Sequence, residues 1–137
     1  MPDSVTPIGG TGIIDAIGIT SDDNTCALTS GGKVKCWKGY YTNYSDLPVY
    51  VPGISDAVKI SSGGNLMCAV IPGSDLECWG GNSPAPGFTG VVSMSIGGEH
   101  KCVALAGGET KCWGENEHGQ LGNGLTEPSN LPVTVTY

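Results

Sequence analysis

Six cysteines, two histidines and one short acidic run are the residues of this chain whose types and spacing could do chemistry. The cysteines come as three pairs, each enclosing nine residues and each followed by tryptophan: Cys26 to Cys36-Trp37, Cys68 to Cys78-Trp79, and Cys102 to Cys112-Trp113. Structural zinc sites bring close Cys-x-x-Cys pairs, which this spacing lacks, so metal ligation is not expected. His100 and His118 lie in no motif that would set an activated Ser or Cys and an orienting acid beside them, so a hydrolytic triad is not expected either. His100 reads as a structural hydrogen-bonding residue and His118 as part of the turn from Asn116 to Gly119. Asp22-Asp23-Asn24 is rich in oxygen but lacks the alternation and terminal Glu of calcium loops, and it reads as a solvated turn. The chain is therefore expected to be non-enzymatic, with no catalytic residue, no metal and no cofactor.

The elements that carry these residues repeat. Pair starts are separated by 68−26 = 42 and 102−68 = 34 residues, within the span of one propeller blade or solenoid turn. Each pair flanks an apolar run, a glycine-bearing turn (Gly31-Gly32, Gly73, Gly107-Gly108) and an alternating run such as Lys33-Val34-Lys35-Cys36-Trp37, which is a hairpin pattern. Folding about that turn sets the two cysteines opposite one another, with Cβ atoms about 4.5 to 5.5 Å apart. The expected disulfides are Cys26–Cys36, Cys68–Cys78 and Cys102–Cys112. A bridge over so short a hairpin contributes about 2 to 3 kcal/mol in the chain-entropy account.

Ahead of the hairpins lie strand patterns at 13–19, 57–61 and 91–96. Behind two of them lie outer-strand patterns at 47–51 and 131–135, whose proline suits an edge. In the second unit Ser83-Pro84-Ala85-Pro86-Gly87-Phe88 replaces the outer strand, and a loop is expected there. Thus 1–137 reads as one all-β repeat domain of three units, about 13–52, 53–90 and 91–137. Trp37, Trp79 and Trp113 point away from the sulfurs on their strands and are expected to pack between units.

Composition narrows the function classes. With 23 Gly and 9 Pro in 137 residues, an aperiodic chain would read as disordered, and the repeat is what argues otherwise. Six Lys, no Arg and 13 acids give a net charge of −7, which repels nucleic acid. No apolar stretch of about 18 residues is present, so membrane insertion by a helix is not expected. Three disulfides imply an oxidising compartment, extracellular or periplasmic, although the start Met1-Pro2-Asp3-Ser4 has no leader pattern. Asn43-Tyr44-Ser45 forms a glycosylation sequon. Tyr40, Tyr41 and Tyr44 make an aromatic loop suited to protein contacts, and Phe88 on its proline-stiffened loop is expected to complete the patch.

The third unit, Cys112-Trp113-Gly114-Glu115-Asn116-Glu117-His118-Gly119-Gln120-Leu121-Gly122, resembles the Trp-Gly-x-Asn-x-x-Gly-Gln-Leu-Gly signature of the regulator of chromosome condensation repeat family. Ala57 to Gly64 and Ser95 to Cys102 resemble the strand and Gly-Gly-x-His stretch of the same repeat. The first two units depart from it at Lys38-Gly39-Tyr40-Tyr41 and Gly80-Gly81-Asn82-Ser83. The cysteine pair resembles a bacterial, extracytoplasmic type. The resemblance implies four-stranded antiparallel blades of a β-propeller, here three blades of a partial ring with the second lacking a regular outer strand. Three blades leave two sheet faces uncovered. A protein-binding module is the first expectation. A homo-oligomer, with a dimer closing a six-bladed ring, and a fragment of a larger propeller are the alternatives.

Overall fold

A computed structural model of the chain describes residues 15–38, 46–73, 76–80 and 87–136. Three antiparallel sheets follow one another along the sequence, and no helix occurs among the described residues. The first comprises β1 (Ala16–Ser21), β2 (Thr25–Thr29), β3 (Val34–Trp37) and β4 (Val49–Tyr50), paired in that order. The second comprises β5 (Lys59–Gly63), β6 (Leu66–Val70) and β7 (Glu77–Gly80), and has no fourth strand among the described residues. The third, β8 (Val91–Ile96), β9 (His100–Leu105), β10 (Thr110–Gly114) and β11 (Ser129–Thr134), is again four-stranded and in sequence order.

Local chemistry fixes each hairpin. In the first, Thr29 N donates to Lys33 O at 2.9 Å and Gly32 N to Thr29 O at 3.0 Å. In the third, Leu105 N donates to Glu109 O and Gly108 N to Leu105 O, both at 2.9 Å. These turns match residue for residue, and each needs a positive φ at its glycine, +79° at Gly32 and +92° at Gly108, which a side chain would resist. The register that follows sets Cys26 opposite Cys36, Cys68 opposite Cys78 and Cys102 opposite Cys112. All three pairs are disulfide-bonded with Cα atoms 4.1 Å apart.

The outer strands differ from the pattern read in the sequence. Only Val49 and Tyr50 pair in β4, because Pro48 has no N–H to extend the ladder, although Val51 N still reaches Val34 O at 2.9 Å. The fourth strand of the last sheet starts at Ser129 instead of Leu131, past a register shift between Cys112 and Gly114. The first strands of the first two sheets end two residues later than expected, at Ser21 and Gly63, because Thr25 and Leu66 still offer partners there. Residues 13 and 14 lie outside the described residues.

Alternation along the strands gives each hairpin a sulfur face and a tryptophan face. Cys26, Leu28, Val34 and Cys36 on the sulfur face of the first sheet share a core with Met67 and Ala69 on the tryptophan face of the second. Leu66, Cys68, Val70 and Leu76 on the sulfur face of the second sheet pack in turn with Ile96, Val103 and Trp113 of the third. The stack thus has one rule, sulfur face onto the next tryptophan face, and burial of these side chains contributes about 25 cal/mol per Å² of apolar area. Along the inner edge β1 lies against β5 and β5 against β8.

Of the three tryptophans only Trp113 is buried in a seam; Trp79 is half-buried against the first seam, and Trp37 is half-buried with no other sheet over its face among the described residues.

Candidate interaction surface

No thiol is left for chemistry, since all six cysteines are in disulfides. Among the described residues no three of His, Cys, Asp and Glu gather as a metal would require. The His100 ring packs on the Gly97 backbone so closely that a Cβ there would lie 2.5 Å from Cε1, and the hydrogen bond at this turn runs from Gly97 N to His100 O. In the acidic run, Asp22 N donates to Asn24 O at 2.8 Å and Asp22 Oδ2 accepts from Asn65 N at 3.2 Å, so these residues close a turn and tie it to the second sheet. Asn24 is buried, and its Oδ1 has no described partner.

The loop between β10 and β11 is organised by Asn116, which is fully buried. Its Nδ2 donates to Leu125 O at 3.0 Å and Glu127 O at 2.9 Å, and its Oδ1 accepts from Leu121 N at 2.9 Å. His118 N caps the turn by donating to Gln120 Oε1 at 2.7 Å. Beside this loop a cleft of about 360 Å³ opens near Trp113, lined by Glu99, Lys101, Gly114, Glu115, Pro128 and Asn130. Glu115 N donates to Glu99 O at 3.0 Å, and the floor must be glycine because a Cβ on Gly114 would lie 2.3 Å from that same oxygen. On the neighbouring surface Lys111 holds the Glu109 carboxyl below the ordinary carboxylate range by its hydrogen bond, helped by Thr134.

A different surface stands out at the start of the stack. Register places Ile19, Ala27, Lys35 and Tyr50 in one row across the first sheet, on its tryptophan face. Ile19 is 71% exposed, whereas its counterparts Ile60 and Met94 pack into the two seams. Lys33 and Lys35 set their ammonium groups 5.4 and 4.6 Å from the Tyr50 ring centroid, which is cation–π geometry. An apolar residue, an aromatic ring and two cations therefore share one face that no other described sheet covers, in a protein whose net charge is −7.

The sequence-predicted contact residues divide. Tyr40, Tyr41, Tyr44 and the Asn43 sequon belong to the connection between β3 and β4 and lie outside the described residues, as does most of the 83–88 loop. Phe88 is in a core position, not the exposed one expected of it. It is 9% exposed, and its ring lies 5.5 Å from that of Trp113, filling the second seam ahead of β8. Ile19 was missed because a strand pattern read from the sequence does not tell a covered face from an open one. The signal available was position relative to the first cysteine of each pair: Ile19 stands seven residues before Cys26, and Ile60 and Met94 stand eight before Cys68 and Cys102.

Residues 108–137 match the regulator of chromosome condensation (RCC1) repeat. No curated protein matches the chain in sequence. Among solved structures, human WBSCR16 shares 18% identity with a TM-score of 0.72 over 89% of this chain and 40% of its own. Yeast RCC1 (Prp20), solved bound to Kap60, shares 18% identity with a TM-score of 0.74 over 89% of this chain and 35% of its own. Prp20p from Saccharomyces cerevisiae, described with its binding properties to Gsp1p and histones, gives 18% identity and a TM-score of 0.75 over 89% and 36%. The chain spans well under half the length of these structures, and the likeness establishes that its sheets are blades of an RCC1-type β-propeller.

Proposed function

We propose that this chain is a non-enzymatic, protein-binding repeat module of the cysteine-paired, extracytoplasmic type, using the first of its RCC1-type blades as the contact surface. The observation that carries this reading is the tryptophan face of the first blade, which no other described sheet covers, where Ile19 stands 71% exposed at a position that is half-buried against a seam in both other blades. Exposed apolar groups rimmed by charge mark interaction sites, and Tyr50 under Lys33 and Lys35 supplies the aromatic and cationic groups that interfaces favour. Tyr40, Tyr41 and Tyr44 belong to the same blade by sequence, so they extend the candidate contact set. Protein partners are in keeping with the structures this fold resembles, one of which holds Kap60. Three disulfides fit an oxidising compartment outside the cytosol.

Site-specific photocrosslinking tests the reading. A benzoylphenylalanine at position 19 is expected to give a protein adduct in the native secreted or periplasmic fraction. The same probe at Leu125, a 58% exposed loop position, serves as the control and is expected to give none. No adduct at 19, or equal labelling at both positions, would count against the face as an interface.

A further inference from the structure

The loop between β10 and β11 contains the pair Asn123-Gly124, the one place in the sequence where glycine follows asparagine. An asparagine side chain is open to attack at Cγ by the backbone nitrogen of the next residue, and a glycine there leaves the approach clear because it has no Cβ. Around Gly124 the space is open, since nothing lies within 4 Å of where a Cβ would stand. Its N–H makes no hydrogen bond among the described residues, so no native contact holds that nitrogen back. Asn123 is half-buried and Gly124 exposed, which lets base and water reach the pair.

The amide under attack is held as an electrophile. Asn123 Oδ1 accepts from Leu125 N at 3.2 Å and from Asn116 Nδ2 at 3.4 Å. The first of these bonds closes a ring that contains the Gly124 nitrogen and keeps Cγ beside it, as in other turns where asparagine bonds the backbone two residues on. Both donors face the oxygen on which negative charge collects as the nitrogen adds, the arrangement that stabilises the oxyanion of acyl transfer. Asn116 is already fixed by its bonds to Leu125 O and Glu127 O and from Leu121 N, so its amide donates without reorganising. On the other side of the pair, Gly122 N donates to Gly119 O at 3.1 Å and Gly122 O accepts from Thr136 N at 2.8 Å. The reacting atoms thus lie between two anchored points.

We propose that Asn123 is a self-modification site, which the native loop converts to aspartate and isoaspartate without an enzyme. A solvent base takes the Gly124 N–H proton, the nitrogen bonds to Asn123 Cγ, and the carbonyl electron pair moves onto Oδ1 under the two donors. The pair then returns, the Cγ–Nδ2 bond breaks, and Nδ2 takes up a proton and leaves as ammonia, which closes a cyclic imide. Water opens the imide at either carbonyl and is the only co-reactant. Opening at Cγ gives aspartate, and opening at the backbone carbon gives isoaspartate, whose main chain runs through Cγ. Either product adds one negative charge to a chain whose net charge is −7. Aspartate keeps an acceptor for Leu125 N and Asn116 Nδ2, whereas isoaspartate adds a methylene to the backbone and shifts Gly124 and Leu125 relative to Asn116.

Incubation of the full, oxidised chain in mildly alkaline buffer tests it, beside a synthetic peptide of residues 119–128 as an unstructured reference in the same buffer. Samples of the chain are then reduced and cut with trypsin after Lys111, and the fragment from Cys112 to Tyr137 is read by mass spectrometry with fragmentation that locates each converted asparagine. Conversion at Asn123 is expected to run about three-fold or more faster in the chain than in the peptide, which lacks the Asn116 donor and the anchored loop. Asn130 in the same fragment is exposed but is followed by leucine, and it is expected to stay intact. A smaller ratio between chain and peptide, or conversion at Asn130 to the same extent as at Asn123, would overturn the inference.

Discussion

Replacing Asn116 with Asp changes one atom's identity at the centre of the β10–β11 loop and reverses the chemistry there. The Nδ2 that donates to Leu125 O and Glu127 O, at 3.0 and 2.9 Å, becomes an oxygen facing two carbonyl oxygens in a fully buried position. Two hydrogen bonds are lost, worth roughly 0.5 to 1.5 kcal/mol each, and a charge is left without a partner, so the total cost is about 4 kcal/mol. At about 2.1 cal/mol/K per residue, 137 residues give an unfolding entropy of about 0.29 kcal/mol/K, so Tm should fall by about 14 °C. The carbonyls raise the new carboxyl's folded pKa above its unfolded value, so the penalty is full above the folded pKa. It recedes as pH falls through that value, when the protonated acid can donate one bond again. Asn116→Ala removes those two bonds and also the one Oδ1 accepts from Leu121 N, without adding a charge, and should show no such recovery. Calorimetric melts of both variants from neutral pH to about pH 4, each referenced to the parent chain at the same pH, read this out. A loss below about 1 kcal/mol for Asp, or pH profiles that run parallel for Asp and Ala, would refute the reasoning.

Two further outcomes are expected. Changing both Cys68 and Cys78 to Ser opens a loop of sequence separation 10 in the blade that contributes to both seams. The loss should be about 3 kcal/mol in denaturant unfolding, with the other two disulfides intact by mass. Gly63→Ala forces a Cβ to within 2.4 Å of Gly97 O and should destabilise the fold measurably in denaturant unfolding, whereas Gly98→Ala meets open space and should raise stability by about 0.4 to 1 kcal/mol.

Much of the architecture was legible because it is local. The constant nine-residue spacing within each cysteine pair defines turn, register and bridge together, and the structure realises all three as read. Strand ends were less legible, since whether Ser62 and Gly63 join a ladder depends on what β6 offers them, not on their own propensity. Phe88 was misread for a related reason: prolines at 84 and 86 marked its neighbourhood as a loop, but Phe88 itself packs on Trp113. The repeat signature included Asn116 without revealing its work, because the carbonyls it holds lie nine and eleven residues further on. The open face was hidden most completely. Ile17 to Ile19 looks like any inner strand, and only the order of the blades distinguishes it.

Every cystine in this protein closes within a single blade, joining strands two and three, so the backbone is the one covalent link between blades and no disulfide crosses a seam. A single proteolytic cut between blades would therefore release two oxidised pieces that migrate separately on a denaturing, non-reducing gel, even though each keeps its bridge. Oxidation hardens the individual units and leaves the packing between them to hydrophobic burial and a few hydroxyl and amide contacts, the kind that pressure or mild denaturant weakens while each bridge stays closed.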